Sequence, residues 1–166
     1  EKIILQYRKD LALEAFEVSH SIHTLGCTLF QYKKKLLEKF LECTTQEIIE
    51  LRQNNVEITQ EIYEPLVTFM GDCKSESLLD RSSIWKSPIL VTECTFIDDN
   101  EIEMAQKKGH SHLNKIIAIL EEKKNEIECE KIILNHFSMK YSEKHILEAL
   151  ESKLPEFIKD KITVML

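Results

Sequence analysis

Glycine and proline are scarce in this chain, three of each in 166 residues, so it holds no Gly/Ser-rich or Pro-rich linker of the kind that separates domains. No internal repeat or low-complexity tract is visible either, which sets aside solenoids and disordered tails. No stretch approaches the roughly 18–20 apolar residues of a membrane span. The opening Glu1-Lys2-Ile3-Ile4-Leu5-Gln6-Tyr7 alternates too soon for a secretory signal. There is no Cys-x-x-Cys pair. The five cysteines (Cys27, Cys43, Cys73, Cys94, Cys129) are an odd number, which favours reduced thiols in an intracellular compartment over a disulfide framework or a thiolate zinc site. Positive charge is not in excess: 22 Lys and Arg face 29 Asp and Glu, a formal net charge of −7. A polyanion would therefore be held by local clusters, Lys33-Lys34-Lys35 with Lys39 or Lys107-Lys108, and not by the overall field. The first residue is not Met and the chain opens inside a strand-like run, so the expectation is a piece of a longer protein whose partner half is missing.

What is present suits one domain with a real core: 43% of the residues are hydrophobic. Short apolar or alternating runs at 2–7, 11–18, 25–32, 65–70, 88–93, 131–135 and 161–165 are rich in Ile, Val, Leu, Phe and Thr, and predict seven strands. Helices are predicted over 44–54, opened by the capping box Thr44-x-x-Glu47, over 113–124, and over 142–153 with Ser142 as N-cap and Pro155 beyond its end. Strands dominate the first third and then alternate with helices. That order predicts an α/β two-layer fold, an antiparallel sheet continuing into β-α units and covered on one face by helices. The polar segment 33–61 lies between two strands and reads as an inserted or protruding piece.

Four places carry candidate chemistry. Met70-Gly71-Asp72-Cys73 follows the apolar run Leu66-Val67-Thr68-Phe69, and Ile89-Leu90-Val91-Thr92 ends in Glu93. Lys107-Lys108-Gly109-His110-Ser111-His112 enters a helix, and Ile132-Ile133-Leu134-Asn135 ends in His136. Taken singly, each is an ordinary turn, a solvated acid or a surface histidine. Together, three successive core strands deliver Asp72, Glu93 and His136 at their C-terminal ends, where ligands collect in α/β folds, and His110 lies between the last two. Carboxylate oxygen and imidazole nitrogen are zinc ligands, and a carboxylate can bridge two ions. A histidine hydrogen-bonded to a glutamate is oriented as a proton donor to a leaving alkoxide, a role that suits Glu93 and His110. His20 and His23 lack the spacing of a ligand pair, and His145 lies in a charged, solvated helix.

In this order, Gly71-Asp72, Glu93-Cys94-Thr95-Phe96, Gly109-His110-Ser111 and His136-Phe137-Ser138-Met139-Lys140-Tyr141 resemble the motifs of the second half of tRNase Z, a metallo-β-lactamase-fold family. The segment His20-Ser21-Ile22-His23-Thr24-Leu25-Gly26-Cys27 is similar to a further family motif, so the likeness covers nearly the whole chain. It is strongest to the short plant-type form. The resemblance implies that residues 1–166 are the C-terminal half of an αββα sandwich, a mixed sheet covered by helices. It implies that Asp72 bridges two zinc ions, with manganese as an alternative, and that His136 completes the second zinc site. Glu93 and His110 would form the charge-linked pair that protonates the leaving 3′-oxygen, and Ser138, Lys140 and Tyr141 the phosphate contacts. The implied reaction is removal of the 3′ trailer of precursor tRNA by an endoribonuclease. The implied partners are precursor tRNA, the missing N-terminal half and a second copy in a homodimer, in the cytoplasm, the nucleus or an organelle, without a membrane.

The departures are specific. The family's His-x-His-x-Asp-His signature and its further single histidine ligand are absent from the six histidines here, so this chain alone should bind zinc poorly and be inactive. Lys140 stands where the family has arginine, and loses the bidentate fork. Cys73 and Cys27 replace a threonine and a tyrosine. The family's tRNA-clamping arm would fall near 33–61, which has no Gly or Pro, leaving Lys33, Lys34, Lys35 and Lys39 as candidate contacts. Two other readings remain at this point: another phosphodiesterase of the same fold, and a non-catalytic scaffold half.

Overall fold

In the computed structural model, which describes residues 1–166, seven strands lie side by side in one sheet in the order of the sequence. β1 (Lys2–Leu5), β2 (Arg8–Val18), β3 (Thr24–Leu36) and β4 (Thr59–Phe69) are antiparallel, and β5 (Ile89–Glu93), β6 (Lys131–Asn135) and β7 (Ile162–Val164) continue in parallel. Parallel neighbours need a crossover. Two 3-10 segments, Ser75–Leu78 and Ser82–Lys86, carry the chain from β4 to β5, and α2 (Ile102–Lys108) and α3 (Leu113–Glu122) carry it to β6. α4 (Glu143–Lys153) and α5 (Glu156–Lys159) bring it to β7. All seven expected strands and the three expected helices are present. α2 and α5 were not foreseen because they bury one apolar residue each, Ala105 and Ile158, and so have no helical stripe in the sequence.

Side chains of alternate strand residues take opposite faces. On one face Phe16, Met70, Leu90, Ile132 and Leu134 join Leu113, Ile116 and Leu120 of α3 and Ile146 and Leu150 of α4 in a single buried cluster around Trp85. Each fully buried Leu or Ile there stabilises by about 1.5–3 kcal/mol. The registers place Ala15, Cys27, Phe69, Val91 and Ile133 in one row on the opposite face, and Leu13, Leu29, Val67 and Ile89 in the next. These rows are partly open: Phe69 is 43% exposed and Ile89 37%. Apolar rows on an open sheet face are a surface awaiting a second layer.

β3 and β4 run further than their apolar runs suggested, because their outer ends form a two-stranded ribbon held by cross-strand pairs instead of by the core. Lys33 meets Glu64 at 2.6 Å, and the Tyr32 and Tyr63 hydroxyls both donate to Glu61 at 2.8 Å. α1 (Thr45–Gln53) sits at the end of this ribbon and buries none of its residues. Its N-terminus is held by the expected capping box, the Thr44 hydroxyl accepting from Glu47 N while Glu47 accepts from Thr44 N. Thr44→Ala should cost about 1 kcal/mol of local helix stability. With no core contact to transmit the loss, amide exchange should quicken across 45–53 while the melting temperature of the chain stays nearly constant.

Candidate functional site

The parallel arrangement of β4, β5 and β6 brings their C-terminal ends to one edge of the sheet, and each end carries one of the expected residues. Gly71, at φ +67°, turns the chain after β4 and sets Asp72 beside it; a Cβ at Gly71 would lie 2.8 Å from the Leu25 carbonyl oxygen, so only glycine fits this turn. Glu93 closes β5 and is 1% exposed. His136 follows β6 with φ +58°, an uncommon conformation for a non-glycine residue that turns it back toward the other two. Its Nε2 lies 3.7 Å from Asp72 Oδ2, and both side chains are about half exposed.

His110 arrives on a separate loop. Gly109 ends α2 in the left-handed conformation, and the following residues pair with the chain beyond β5, Phe96 N donating to Ser111 O and Leu113 N to Phe96 O. Ser111, fully buried, donates its hydroxyl to Cys73 O at 2.8 Å, and His112 caps α3 with Nδ1 while donating Nε2–H to Asp98 O. The backbone on either side of His110 is thus anchored, and the ring is 19% exposed.

Glu93 joins these pieces. Its Oε1 accepts from Cys73 N and from His110 Nδ1, both at 2.8 Å, and its Oε2 accepts from Thr95 N at 3.3 Å and from the Thr95 hydroxyl. A carboxylate has about four acceptor positions, and all are in use. The Thr95 hydroxyl also contacts His136 Nδ1 at 3.0 Å. Since the hydroxyl proton goes to the carboxylate, which has none to give, Thr95 accepts from His136 and the histidine proton sits on Nδ1. One carboxylate therefore fixes two imidazoles, His110 directly and His136 through Thr95, and leaves Nε2 of each available. Thr95 was quoted within a motif but not singled out; a hydroxyl two residues after a strand-end acid is the signal that could have found it.

Glu93, His110 and His136 hold ligand atoms within 4.8 Å of one another, but a metal centred on this trio would have to displace the donors that saturate Glu93. Apart from His110 Nε2, which the proton-donor reading keeps for substrate, the donors that remain are Asp72 oxygen and His136 Nε2, a carboxylate and an imidazole of the kind a borderline metal ion takes. They could serve as two of the three or four ligands that such a site needs. The cysteines do not contribute: burial and the nearby Glu93 charge push the Cys73 thiol up to about 12, and burial pushes Cys129 up to about 11.

The remaining candidates lie apart from this cluster in different degrees. Ser138 N donates to Thr95 O at 3.0 Å, close behind the carboxylate. Lys140 and Tyr141 both bond to Glu101, a buried acid that no sequence pattern distinguished, and Ile97 N donates to the Tyr141 hydroxyl at 3.2 Å. His23 pairs with Glu17 and His145 with Asp98, away from the strand ends. Lys33 and Lys34 are paired with Glu64 and Glu61. His20 packs against His110 with ring centroids 4.9 Å apart.

Comparison with known proteins follows the same lines. No protein-family model matches the chain. tRNase Z TRZ1 of Arabidopsis thaliana is 35% identical over 151 residues, 89% of this chain and 52% of that protein. The chloroplastic tRNase Z TRZ2 of the same plant is 32% identical over 155 residues, 90% of this chain and 43% of that protein. The chain thus spans about half the length of the curated relatives it matches. Among solved structures, a metallo-beta-lactamase fold protein, YhfI of Bacillus subtilis, superposes with a TM-score of 0.57 at 11% identity, over 99% of this chain and 49% of the other. Human tRNase Z, short form, gives 0.50 at 15% identity over 99% of this chain and 44% of the other. These two likenesses show the fold: a mixed sheet with helices, of metallo-β-lactamase type.

The Glu101 knot generates an acid-side prediction. Burial alone would raise the Glu101 pKa, but the hydrogen bonds from Lys140 and Tyr141 outweigh it and the net shift is downward. A carboxyl whose folded pKa is depressed adds stability above its ordinary value, about 4.3, and that stability is lost as pH falls through the folded pKa. Acid denaturation followed by circular dichroism should therefore show a drop below about pH 4 that Glu101→Gln flattens while lowering stability at neutral pH.

Proposed function

Because the chain is related to tRNase Z along nine tenths of its own length, we propose that it supplies the proton-donating side and two metal ligands of an endoribonuclease that removes the 3′ trailer of precursor tRNA. The observation that carries this reading is the saturated Glu93 carboxylate, which orients His110 and His136 at one edge of the sheet and leaves Nε2 of each free. In the proposed reaction a water oxygen forms a bond to phosphorus as the bond from phosphorus to the 3′-oxygen breaks. His110, acting as the imidazolium, gives the leaving oxygen its Nε2 proton while Nδ1–H stays on Glu93, a contribution of about 10²–10⁴-fold for a placed general acid, and the proton of the attacking water passes to solvent. Asp72 and His136 would hold the metal, zinc in this reading with manganese as the alternative. When bound, the metal supplies a nucleophilic water at neutral pH and charge stabilisation on the phosphoryl oxygens. Ser138, Lys140 and Tyr141 would contact substrate phosphate; Lys140 would then share its charge between Glu101 and the phosphate.

The chain would be the C-terminal half of its parent protein. The open apolar residues around Phe69 and Ile89 suit cover by the other half, which would bring the missing ligands, and a second copy in a homodimer is the alternative cover. An organelle and the cytoplasm are both compatible with this reading, one of the relatives being named chloroplastic; no helix is long and apolar enough to cross a membrane.

The test is cleavage of a precursor tRNA by the complete parent protein with added zinc or manganese. Cleavage at the trailer junction should fall about 10²–10⁴-fold in His110→Ala. His136→Ala should lose bound metal and activity together, and Thr95→Val should lower metal affinity by about 10–100-fold, as expected for an outer-shell partner. A metal-loaded wild type that leaves precursor tRNA intact but hydrolyses a small phosphodiester would replace this reading with that of a small-molecule phosphodiesterase.

A further inference from the structure

We propose that His20 is a positioning residue that fixes the ring plane of His110. The Glu93 hydrogen bond holds His110 at one atom, Nδ1, and a single such bond leaves the ring free to tilt about it. Rings of unlike orientation remove that freedom, and of the two that meet His110 edge-on, His20 at 4.9 Å is nearer than Phe96 at 6.4 Å. His136 stacks on His110 at 5.4 Å with 29° between planes, and His20 meets it at 4.9 Å with 76° between planes. Offset-stacked and edge-to-face contacts are the favoured aromatic geometries, and together they define a plane that neither defines alone.

The turn between β2 and β3 is built to hold His20 there. His20 Nδ1 accepts from Ile22 N at 3.2 Å and is 3.3 Å from the Ser21 hydroxyl, so the ring proton is on Nε2. That Nε2 is buried and has no hydrogen-bond partner. A buried donor without a partner is costly, so the hydrogen bonds of the turn do not by themselves account for placing the ring against His110. The turn also presses on the loop that carries His110: a Cβ on Gly109 would lie 2.6 Å from Ser21 N and 3.3 Å from His20 carbonyl carbon. Glu93 thus approaches His110 through an atom, and His20 through the ring.

The role in proton transfer rests on the proposed nuclease reading; the packing role does not, and the two are separable by paired variants. His20→Phe keeps the ring and loses the acceptor to Ile22 N, whereas His20→Asn keeps a polar acceptor for the turn and loses the ring. In the complete parent protein, His20→Asn should lower kcat for precursor tRNA by about 10–100-fold, the size of effect expected for misaligned catalytic groups. KM and the melting temperature should stay unchanged, and His20→Phe should keep most of the wild-type kcat. In the same parent protein, nuclear Overhauser contacts between the ring protons of His110 and His136 should persist in His20→Phe and vanish in His20→Asn. Contacts retained in His20→Asn would overturn the packing role, as would a loss as large in His20→Phe as in His20→Asn. Contacts that follow the ring in a parent protein whose wild type does not cleave precursor tRNA would keep the packing role and remove the nuclease reading. An unchanged kcat in His20→Asn in an active parent would overturn the positioning role.

Discussion

A buried carboxylate with every acceptor position filled is the constraint on which the site depends. Glu93 is 1% exposed, and a charge so far from water is tolerated only when its hydrogen bonds are complete. Completing them draws in four parts of the chain: the turn after β4 through Cys73 N, the strand's own continuation through Thr95, the α2–α3 loop through His110, and the end of β6 through Thr95 and His136. The unusual backbone of the region follows from the same demand. Gly71 and Gly109 are left-handed to let their loops approach, and His136 takes φ +58° to bring its Nδ1 to Thr95. Positive φ at a non-glycine residue costs on the order of 1–3 kcal/mol and persists where surroundings over-determine it, which four converging segments do.

Sheet topology supplies the convergence. Four antiparallel strands make a broad platform, and the parallel strands that follow repeat one direction, so that successive strand ends reach the same edge. α3, α4 and α5 pack on one face through the cluster around Trp85, which leaves apolar residues such as Phe69 and Ile89 open on the other. The site lies at the edge of the same sheet, where Asp72, His110 and His136 come together around Glu93. The chain spans about half of the length of the relatives it matches.

Much of this was legible in the residues. Strand ends carrying Asp72, Glu93 and His136 stood out because short, mostly apolar runs stop at polar groups with ligand chemistry, and His110 pairs with Glu93 at 2.8 Å. The capping residues Thr44 and Ser142 were visible because their hydroxyls compete for backbone donors at fixed offsets. What escaped notice depended on contacts far apart in sequence. Glu101 looks like any acid of a polar stretch until Lys140 and Tyr141 fold onto it, some 40 residues away. The ribbon ends of β3 and β4 were missed because cross-strand charge pairs replace the apolar alternation by which strands are recognised. His20 is 90 positions from His110 in a turn without a helix or strand of its own, and only the folded loop against Gly109 makes it a neighbour.

Neutron diffraction from a deuterated crystal tests the central claim most directly, because it locates the protons on which the whole arrangement turns. The account predicts deuterons on His110 Nδ1 and on the Thr95 hydroxyl, both directed at Glu93, a deuteron on His136 Nδ1 directed at Thr95, and none on Glu93 itself. A deuteron on Glu93, or a Thr95 hydroxyl that donates to His136, would contradict it, since the carboxylate would then no longer set the exposed nitrogen of both histidines.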